Sequence, residues 1–449
     1  MARIHCRWYN LLICLCSPCI CLLLLFIYTG VMLSINMTNP VYTNPSGPHF
    51  VASGTFRNDG FAPMPRTFWA PPSQVKGLWN HLQLVSERGY NPILRPNNSK
   101  LRFDGESLLW KGYSELTDLE NGTSNFGMQP QLMKEFVSHM QQRDFPILIQ
   151  PDGTCGSGAV NETKRPLLLM AMKSSELNFR NRQAIRQTWG RAGWVAGHSR
   201  NRSSGEEIGG YVRRVFLLGK ESPEELGVDV SELLQTESEL YGDILQWDFK
   251  DTFFNLTLKD VLFWDWFSRH CDRIHFVFKG DDDVFVNTMN LITYLQDQLK
   301  KPETHKTMKD FMVGQVINRA MPVRERNSKY FIPDSFYQGI YPTYAGGGGV
   351  VYSGLLTRRL HEMAKGVHLF PIDDVYVGMC MARLNTSPIN HPAFFTFGLD
   401  ENEKEPCLYH MILLVHKRSP LEMVNLWAYL KKTQTQCRDV PLKETGQGT

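Results

Sequence analysis

The chain has almost no net charge, because 48 lysine and arginine residues face 45 acidic ones and leave only +3 over 449 residues. The basic residues are scattered rather than clustered, which excludes the basic surface that nucleic-acid binding requires. The sequence also lacks internal repeats, and the cysteines from Cys155 onward show no spacing typical of zinc ligands. What is left is a globular protein, long enough for one large or two ordinary domains.

An apolar segment over residues 9–35 predicts a membrane anchor, because it exceeds the roughly 20 residues that span a bilayer. A cleaved signal peptide would have a shorter apolar core and a small-residue cleavage site, for which Gly30 is the candidate. Arg3 and Arg7 precede the span, and no second span follows. The positive-inside rule then places residues 1–8 in the cytosol and the rest in the lumen, which is type II topology.

Glycosylation sequons agree with a luminal location. An oxidising lumen also favours disulfides over free thiolates for the five cysteines beyond the span. Six Asn-x-Ser/Thr sequences downstream of the span are predicted acceptors of asparagine-linked glycans: Asn97, Asn121, Asn161, Asn201, Asn255 and Asn385.

Composition divides the luminal part into four segments. Residues 36–72 are rich in proline, glycine, serine and asparagine and cannot form a core, so we predict a stem. Apolar residues return in short groups over 73–164, which predicts an accessory segment packed on the main domain. That main domain is predicted over 165–437, followed by a tail over 438–449.

Apolar runs at 166–172, 214–219 and 275–279 predict buried strands of the main domain. Helical segments at 179–189 and 231–240 separate them. This alternation predicts an α/β fold with a mostly parallel central sheet. In such sheets ligands bind beyond the carboxyl ends of the strands.

Three consecutive acids, Asp281, Asp282 and Asp283, follow the third strand directly. Adjacent carboxylates repel one another unless a proton or a cation intervenes, and a hard divalent ion with oxygen ligands is the usual solution. A calcium loop is excluded because its sixth position should be glycine and here is Val286. Two interpretations are left: a metal-diphosphate site of the kind that nucleotide-sugar transferases use, or a solvated acidic turn.

A second acidic pair, Asp373 and Asp374, lies between Ile372 and Val375. On an extended backbone the two side chains point to opposite sides, so only one can face a substrate. A carboxylate in a partly apolar setting holds protons more tightly and can serve as a general base. A helix amino-terminal cap after Pro371 explains the same spacing, and both interpretations stay open.

Three further features are candidates for ligand contacts. Glycines 346–349, next to Tyr344, allow a backbone to pass close to a sugar, whereas a flexible linker would not return at once to apolar sequence. Arg182 and Arg186 share one helical face, which predicts either a diphosphate contact or a solvated charged face. His416 follows a strand-like run and is either a metal ligand or a structural histidine.

Taken together, these segments resemble the animal β-1,3-glycosyltransferase family (glycosyltransferase family 31), and within it the N-acetyllactosaminide β-1,3-N-acetylglucosaminyltransferases. The resemblance covers nearly all of the main domain. Its matching blocks, in chain order, are residues 182–190, 251–259, 278–288, 341–354 and 371–380.

The resemblance implies a GT-A fold, a UDP-sugar donor, Mn²⁺ or Mg²⁺ as cofactor, and inversion at the anomeric carbon. It makes Asp374 the general base and assigns Asp283 and His416 to the metal. On the donor side we place Asp281, Asp282, Arg182, Arg186 and Lys259, and on the acceptor side Asp373, Tyr344, Gly347 and Gly348.

The loop Ala345-Gly346-Gly347-Gly348-Gly349 and the sequence Asp373-Asp374-Val375 resemble the N-acetylglucosaminyl branch rather than the galactosyl branch. The resemblance therefore implies transfer of GlcNAc from UDP-GlcNAc to the 3-hydroxyl of a terminal galactose, at the Golgi membrane. The alternatives are a UDP-galactose β-1,3-galactosyltransferase and a non-catalytic membrane glycoprotein that binds glycans.

Positions of the cysteines next to predicted strands suggest their pairing. Cys155 and Cys271 each precede a strand of the sheet, and neighbouring parallel strands would bring them together. A bridge from Cys380 to Cys407 would fix the predicted base relative to the strand that carries His416. Cys437 is then left over, for a homodimer contact or as a free thiol.

Overall fold

The structure is a computed structural model that describes residues 77–90, 129–153, 155–158, 165–198, 208–302, 304–399 and 406–443. The predicted anchor and stem and four of the sequons (Asn97, Asn121, Asn161 and Asn201) lie outside these ranges. Within them, every helix is too short or too polar to cross a bilayer.

Helices and strands alternate through most of the described chain. The helices are α1 (Leu78–Tyr90), α2 (Gln129–His139), α3 (Phe179–Gln187), α4 (Pro223–Leu226), α5 (Ser231–Tyr241), α6 (Leu256–His270), α7 (Thr288–Lys300), α8 (Thr304–Thr307), α9 (Gly354–Ala364), α10 (Asp373–Arg383) and α11 (Pro420–Thr433). The strands are β1 (Ile147–Ile149), β2 (Leu168–Lys173), β3 (Gly193–Ala196), β4 (Gly209–Lys220), β5 (Ile244–Lys250), β6 (Phe276–Asp281), β7 (Phe285–Val286), β8 (Met312–Gly314), β9 (Val316–Ile317), β10 (Tyr344–Ala345), β11 (Gly349–Ser353), β12 (Ile389–Asn390), β13 (Phe394–Phe395) and β14 (Leu414–Val415).

The central sheet has the strand order β1-β5-β4-β2-β6-β11-β8-β12, with β3 paired to β4. Its middle strands β5, β4, β2 and β6 are parallel, but β11 is antiparallel to both β6 and β8. The α/β prediction is confirmed, and the mostly parallel sheet is corrected to a mixed one. Apolar runs reveal that a strand is buried, but not in which direction it runs.

Two apolar clusters cover the two faces of this sheet, which explains why β2 is buried along its whole length. Leu169 and Ala171 belong to the cluster that includes α6, whereas Leu168 and Met170 belong to the cluster that includes α3 and α7. A strand buried on both faces needs a continuous apolar sequence rather than an alternating one.

The described part of the accessory segment packs into the same core as the main domain. Trp79 of α1 is fully buried, donates its indole N–H to the carbonyl oxygen of Leu369 at 3.0 Å, and packs edge-on against Phe370. Strand β1 extends the central sheet by pairing with β5. Because α1 contacts the turn before α10, it supports the element that carries Asp373 and Asp374.

Two disulfides are present in the described chain. Cys155 is joined to Cys271, as predicted. The predicted bridge between Cys380 and Cys407 is wrong, because Cys407 is joined to Cys437 and Cys380 is a buried free thiol. Cys380 lies on the inner side of α10, within the apolar core, where burial raises the pKa of its thiol to about 12.

Candidate active site

A cavity of about 810 Å³ opens where β2 and β6 end. Strand register brings its walls together: Asp281 of β6 pairs with Lys173 of β2, and Gly280 pairs with Gly349 of β11. Because β11 is antiparallel to β6, its amino end lies beside the carboxyl end of β6. The glycine run before β11 therefore reaches the acidic triplet. Residues on the cavity wall include Ser174, Asn178, Asp251, Lys259, Asp281, Asp282, Asp283, Tyr344, Gly347, Gly348, Asp373, Asp374 and His416.

A separate three-stranded sheet, β13-β14-β7, positions His416. Strand β14 pairs antiparallel with β7, which follows the acidic triplet, so the residue after β14 lies against Asp283. His416 Nε2 is 3.0 Å from Asp283 Oδ1 and 3.7 Å from Asp281 Oδ2. Its Nδ1 lies 2.9 Å from the carbonyl oxygen of Thr396, which fixes the ring orientation.

Asp281, Asp283 and His416 form a group whose ligand atoms all lie within 4.8 Å of one another. Two carboxylates and one imidazole suit Mn²⁺ or Mg²⁺, which favour oxygen ligands and tolerate a nitrogen. The site is electrostatically strained: burial raises the pKa of Asp281 to about 6, although Lys173 opposes the shift. Burial lowers the pKa of His416, but the hydrogen bond to Asp283 and the negative charges of Asp283 and Asp281 together outweigh burial, so the net shift is upward. The carboxylates of Asp281 and Asp283 repel each other, and a bound cation would offset this repulsion.

Asp282, the middle acid, points away from this group. Its carboxylate accepts hydrogen bonds from Ser174 Oγ at 2.6 Å and from Asn178 Nδ2 at 2.9 Å. These bonds tie the triplet to the end of β2 and to the start of α3. Asp282 is therefore bound by polar groups of the chain and is not a member of the candidate cation group.

Asp373 and Asp374 lie in the first turn of α10, so the extended backbone predicted for them is wrong. The cap interpretation is also wrong, because the residue before the helix is Ile372 and no side chain caps it. Asp373 makes an ion pair with Lys173. Asp374 has no such partner in the described chain and faces Gly347 in the cavity.

This difference separates the pKa values of the two acids. Burial would raise the pKa of Asp373, but Lys173 and Lys279 outweigh it and hold the pKa at about 2. Burial and the neighbouring charge of Asp373 raise the pKa of Asp374 well above its usual range. One acid is therefore fixed as a carboxylate, while the other has the higher proton affinity that a general base requires.

The buried lysines beneath this pair were not predicted from the sequence. Lys173 and Lys279 both contact Asp260 of α6, with Nζ to Oδ2 distances of 3.2 and 2.8 Å. The sequence does contain a signal for them, because each lysine belongs to an otherwise apolar strand. A lysine is almost never fully buried unless it is paired, so each of these positions indicates a buried acidic partner.

Tyr344, Gly347 and Gly348, which were predicted to contact the acceptor, line the cavity. At the two glycines a side chain would collide with a residue of the site. A Cβ atom on Gly347 would lie 2.4 Å from Asp374 Oδ2, and one on Gly348 would lie 2.8 Å from His416 Cγ. Tyr344 lies near Asp374, and burial together with that charge raises the pKa of its hydroxyl to about 12. The glycines thus let the backbone approach both the candidate base and the candidate metal ligand.

Lys259 also lines the cavity, but its ammonium group is already bound. It donates to the carbonyl oxygen of Ser174 at 2.6 Å and pairs with Asp251 Oδ2 at 2.8 Å. It can therefore shape the wall below the acidic triplet, and its charge is largely offset within the protein.

The prediction that Arg182 and Arg186 bind the donor is wrong. Both side chains are buried, and neither lines the cavity. Arg182 Nη2 lies 2.7 Å from Glu237 Oε2, and Arg186 Nη2 lies 2.7 Å from Asp243 Oδ1. The anions that relieve the repulsion on this helix face are carboxylates of the chain itself.

Replacing Arg186 by methionine is therefore expected to destabilise the fold without affecting the cavity. The change leaves the carboxylates of Glu237 and Asp243 with one arginine each, and we expect a loss of about 3 kcal/mol in the free energy of unfolding. Urea denaturation of this variant and of Arg180→Met, an exposed arginine on the same helix, measures it. A loss of UDP affinity by folded Arg186→Met would restore the donor assignment.

Three exposed apolar side chains line the cavity, and no sequence pattern predicted them. Met321, Tyr330 and Phe397 line the cavity and have exposed fractions of 65%, 44% and 66%. Tyr330 packs edge-on against Phe253 at 5.3 Å. Exposed apolar groups at a cleft are typical of ligand-binding surfaces.

Two predicted glycosylation positions lie in the described chain. Asn385 is exposed and has a left-handed backbone with φ of 55°. Asn255 is half-buried, and its side-chain amide donates to the carbonyl oxygen of Lys250 at 2.8 Å.

A sequence model of a family described as galactosyltransferase matches residues 180–392. N-acetyllactosaminide β-1,3-N-acetylglucosaminyltransferase 2 of Mus musculus is 42% identical over 377 residues, covering 82% of this chain and 88% of the relative. The Homo sapiens protein of the same name is 40% identical over equal shares. The chain belongs to this family of β-1,3-glycosyltransferases.

UDP-GlcNAc:betaGal β-1,3-N-acetylglucosaminyltransferase 7 of Rattus norvegicus is also similar to this glycosyltransferase, at 41% identity over 66% of the chain and 70% of the relative. Among solved structures, 4-diphosphocytidyl-2C-methyl-D-erythritol synthase from Anaerococcus prevotii aligns with 59% of the chain and 96% of its own, at 10% identity and a TM-score of 0.28. A structural similarity this low indicates nothing about the function of the chain. The family match spans the acidic triplet, the glycine run and Asp374.

Proposed function

We propose that this glycosyltransferase moves GlcNAc from UDP-GlcNAc to the 3-hydroxyl of a terminal β-galactose, on acceptors of the N-acetyllactosamine type. One observation carries the proposal: a candidate cation site and an acid with a raised pKa face the same cavity. The names of the relatives support the donor, the β-1,3 linkage and the galactose acceptor.

The proposed chemistry is a displacement with inversion in a GT-A type site. Mn²⁺ or Mg²⁺ held by Asp283 and His416, with Asp281 beside them, would supply charge neutralisation at the donor diphosphate. Asp374 accepts the proton of the acceptor hydroxyl as its oxygen attacks the anomeric carbon. The bond to the diphosphate breaks on the opposite face, and UDP leaves with the electron pair.

Each wall of the cavity has a part in this proposal. The donor nucleotide lies along the part of the wall formed by Asp282 and Lys259. The acceptor sugar rests on the ring of Tyr344 and on the backbone of Gly347 and Gly348, which lies close to Asp374 and His416 because the glycines have no side chains. Asp373 borders the acceptor, with its main contact to Lys173.

We further propose that the protein is a single-pass type II protein of the Golgi membrane, anchored by residues 9–35, with its site in the lumen. The six sequons support exposure to the glycosylation machinery. Asn385 is the described position best placed to accept a glycan, because its side chain is exposed.

A donor screen tests the proposed reaction. The full-length protein in detergent is incubated with Mn²⁺, N-acetyllactosamine, and either UDP-GlcNAc or UDP-galactose, and the product linkage is determined by NMR. We expect a β-1,3-linked GlcNAc on galactose. Transfer of galactose instead would favour the galactosyltransferase alternative, which the description of the family model supports. Binding of acceptor without transfer from either donor would leave a glycan-binding protein.

A further inference from the structure

A positively charged side chain can stabilise a leaving diphosphate in addition to a metal ion. Arg182 and Arg186, which were predicted for this role, do not line the cavity. Four lysines line the described cavity: Lys173, Lys259, Lys329 and Lys417. The first two are buried in ion pairs with aspartates. Lys329 lies over the rings of Phe253 and Tyr330, 5.0 Å from each centroid. Lys417 is exposed and, within the described residues, has no carboxylate partner.

The backbone at Lys417 is held in an unfavourable conformation. Its φ is 61°, in the left-handed region that residues other than glycine, asparagine and aspartate seldom adopt. Two hydrogen bonds fix it there: His416 N–H donates to the carbonyl oxygen of Phe395 at 3.1 Å, and Arg418 N–H donates to that of Asp283 at 2.7 Å. The residues that hold this conformation include two candidate metal ligands. Backbone strain that the surroundings maintain is typical of functional positions.

We propose that the Lys417 ammonium group binds the departing diphosphate of the nucleotide donor. The inference rests on the proposed nucleotide-sugar site. As the acceptor oxygen bonds to the anomeric carbon, the bond from that carbon to the diphosphate oxygen breaks. The electron pair stays on the diphosphate, whose negative charge rises by one. A lysine whose backbone is held beside Asp283 stabilises this added charge more strongly than the charge of the intact donor, so it lowers the barrier.

Binding measurements separate this role from a structural one. For Lys417→Met we expect about a tenfold loss of UDP affinity, the order typical of one charge-assisted contact. Uridine, which has no phosphate, should bind as it does to the wild type. The UDP effect should persist in EDTA, because it belongs to the side chain and not to the cation. The kcat/KM value should fall by about 10- to 100-fold.

Two further substitutions separate charge from backbone strain. Lys417→Arg should retain most of the UDP affinity because it keeps the positive charge. Lys417→Gly suits the left-handed backbone, so it should be no less stable than the wild type while losing UDP affinity as Lys417→Met does. Lys300→Met, at an exposed lysine at the end of α7, is the matched control and should leave both properties unchanged.

Unchanged UDP affinity in Lys417→Met, or an equal loss of UDP and uridine affinity, would overturn the proposal. A different pair of results would contradict the proposed reaction and support the diphosphate contact. In that case the wild type transfers no sugar, and the Lys417→Met substitution still lowers UDP affinity. The two failures are therefore distinguishable.

Discussion

Replacing Asp374 by asparagine is expected to lower kcat by about 10²- to 10⁴-fold, the range typical of a lost general base. The amide has nearly the same shape as the carboxylate but cannot take the proton of the acceptor hydroxyl. UDP affinity should be retained, because Asp374 faces the glycine run rather than the acidic triplet. Steady-state kinetics and calorimetry on the same preparation measure the two effects, with Asp297→Asn, at an exposed aspartate on α7, as control.

The pKa of Asp374 gives this prediction a second readout. Because burial and Asp373 raise that pKa, wild-type kcat should decline as the pH falls through it, and the decline should be absent in the residual activity of the variant. An acid whose pKa is higher in the folded than in the unfolded state opposes folding once it is ionised. The variant should thus be at least as stable as the wild type at neutral pH, and this gain should vanish in acid. A large loss of UDP affinity would contradict the assignment.

Replacing Asp283 by alanine is expected to lower UDP affinity, which the Asp374→Asn substitution should leave unchanged. Removing this ligand leaves His416 and Asp281 to hold a cation, and the Mn²⁺-dependent part of UDP affinity should fall by at least about 10- to 100-fold. UDP binding in EDTA should not change. Calorimetric titration of UDP at several Mn²⁺ concentrations measures this, and Asp297→Ala is the control.

Equal UDP affinity with and without Mn²⁺ in the wild type would contradict the proposed cation site. So would an Asp283→Ala variant that keeps its full dependence on Mn²⁺. Loss of catalysis without loss of Mn²⁺-dependent binding would shift the role of Asp283 from the cation to the reacting sugar.

The sequence predicted which acidic and glycine residues meet at the cavity better than it predicted the elements that surround them. The end of β6 was recognisable because an apolar run stops at three acids, and a buried strand must place them at the sheet edge. The direction of β11 was not predictable, because burial imposes the same apolar composition on parallel and antiparallel strands. The same holds for β1 and β3, which also pair antiparallel with their neighbours and contribute to the mixed sheet.

The errors over Arg182 and Arg186 have a related cause. Helical spacing shows which residues share a face, but not which element packs against it. The partner acids, Glu237 and Asp243, come more than 50 positions later and give no local signal. The disulfide prediction failed similarly: Cys380 lies within α10 facing the core, whereas Cys437 lies just beyond α11, near Pro406, the residue before Cys407.

The pairing of β14 with β7 has a consequence for inheritance. The third candidate ligand, His416, follows β14, the last strand in the described part of the chain, so every described strand of the central sheet precedes it in the sequence. A nonsense allele that ends translation shortly before this codon would retain every strand of that sheet and lack the histidine. We therefore expect truncations just before His416 to be null for transfer, and stop codons there to be tolerated as poorly as stop codons in the sequence that encodes the acidic triplet.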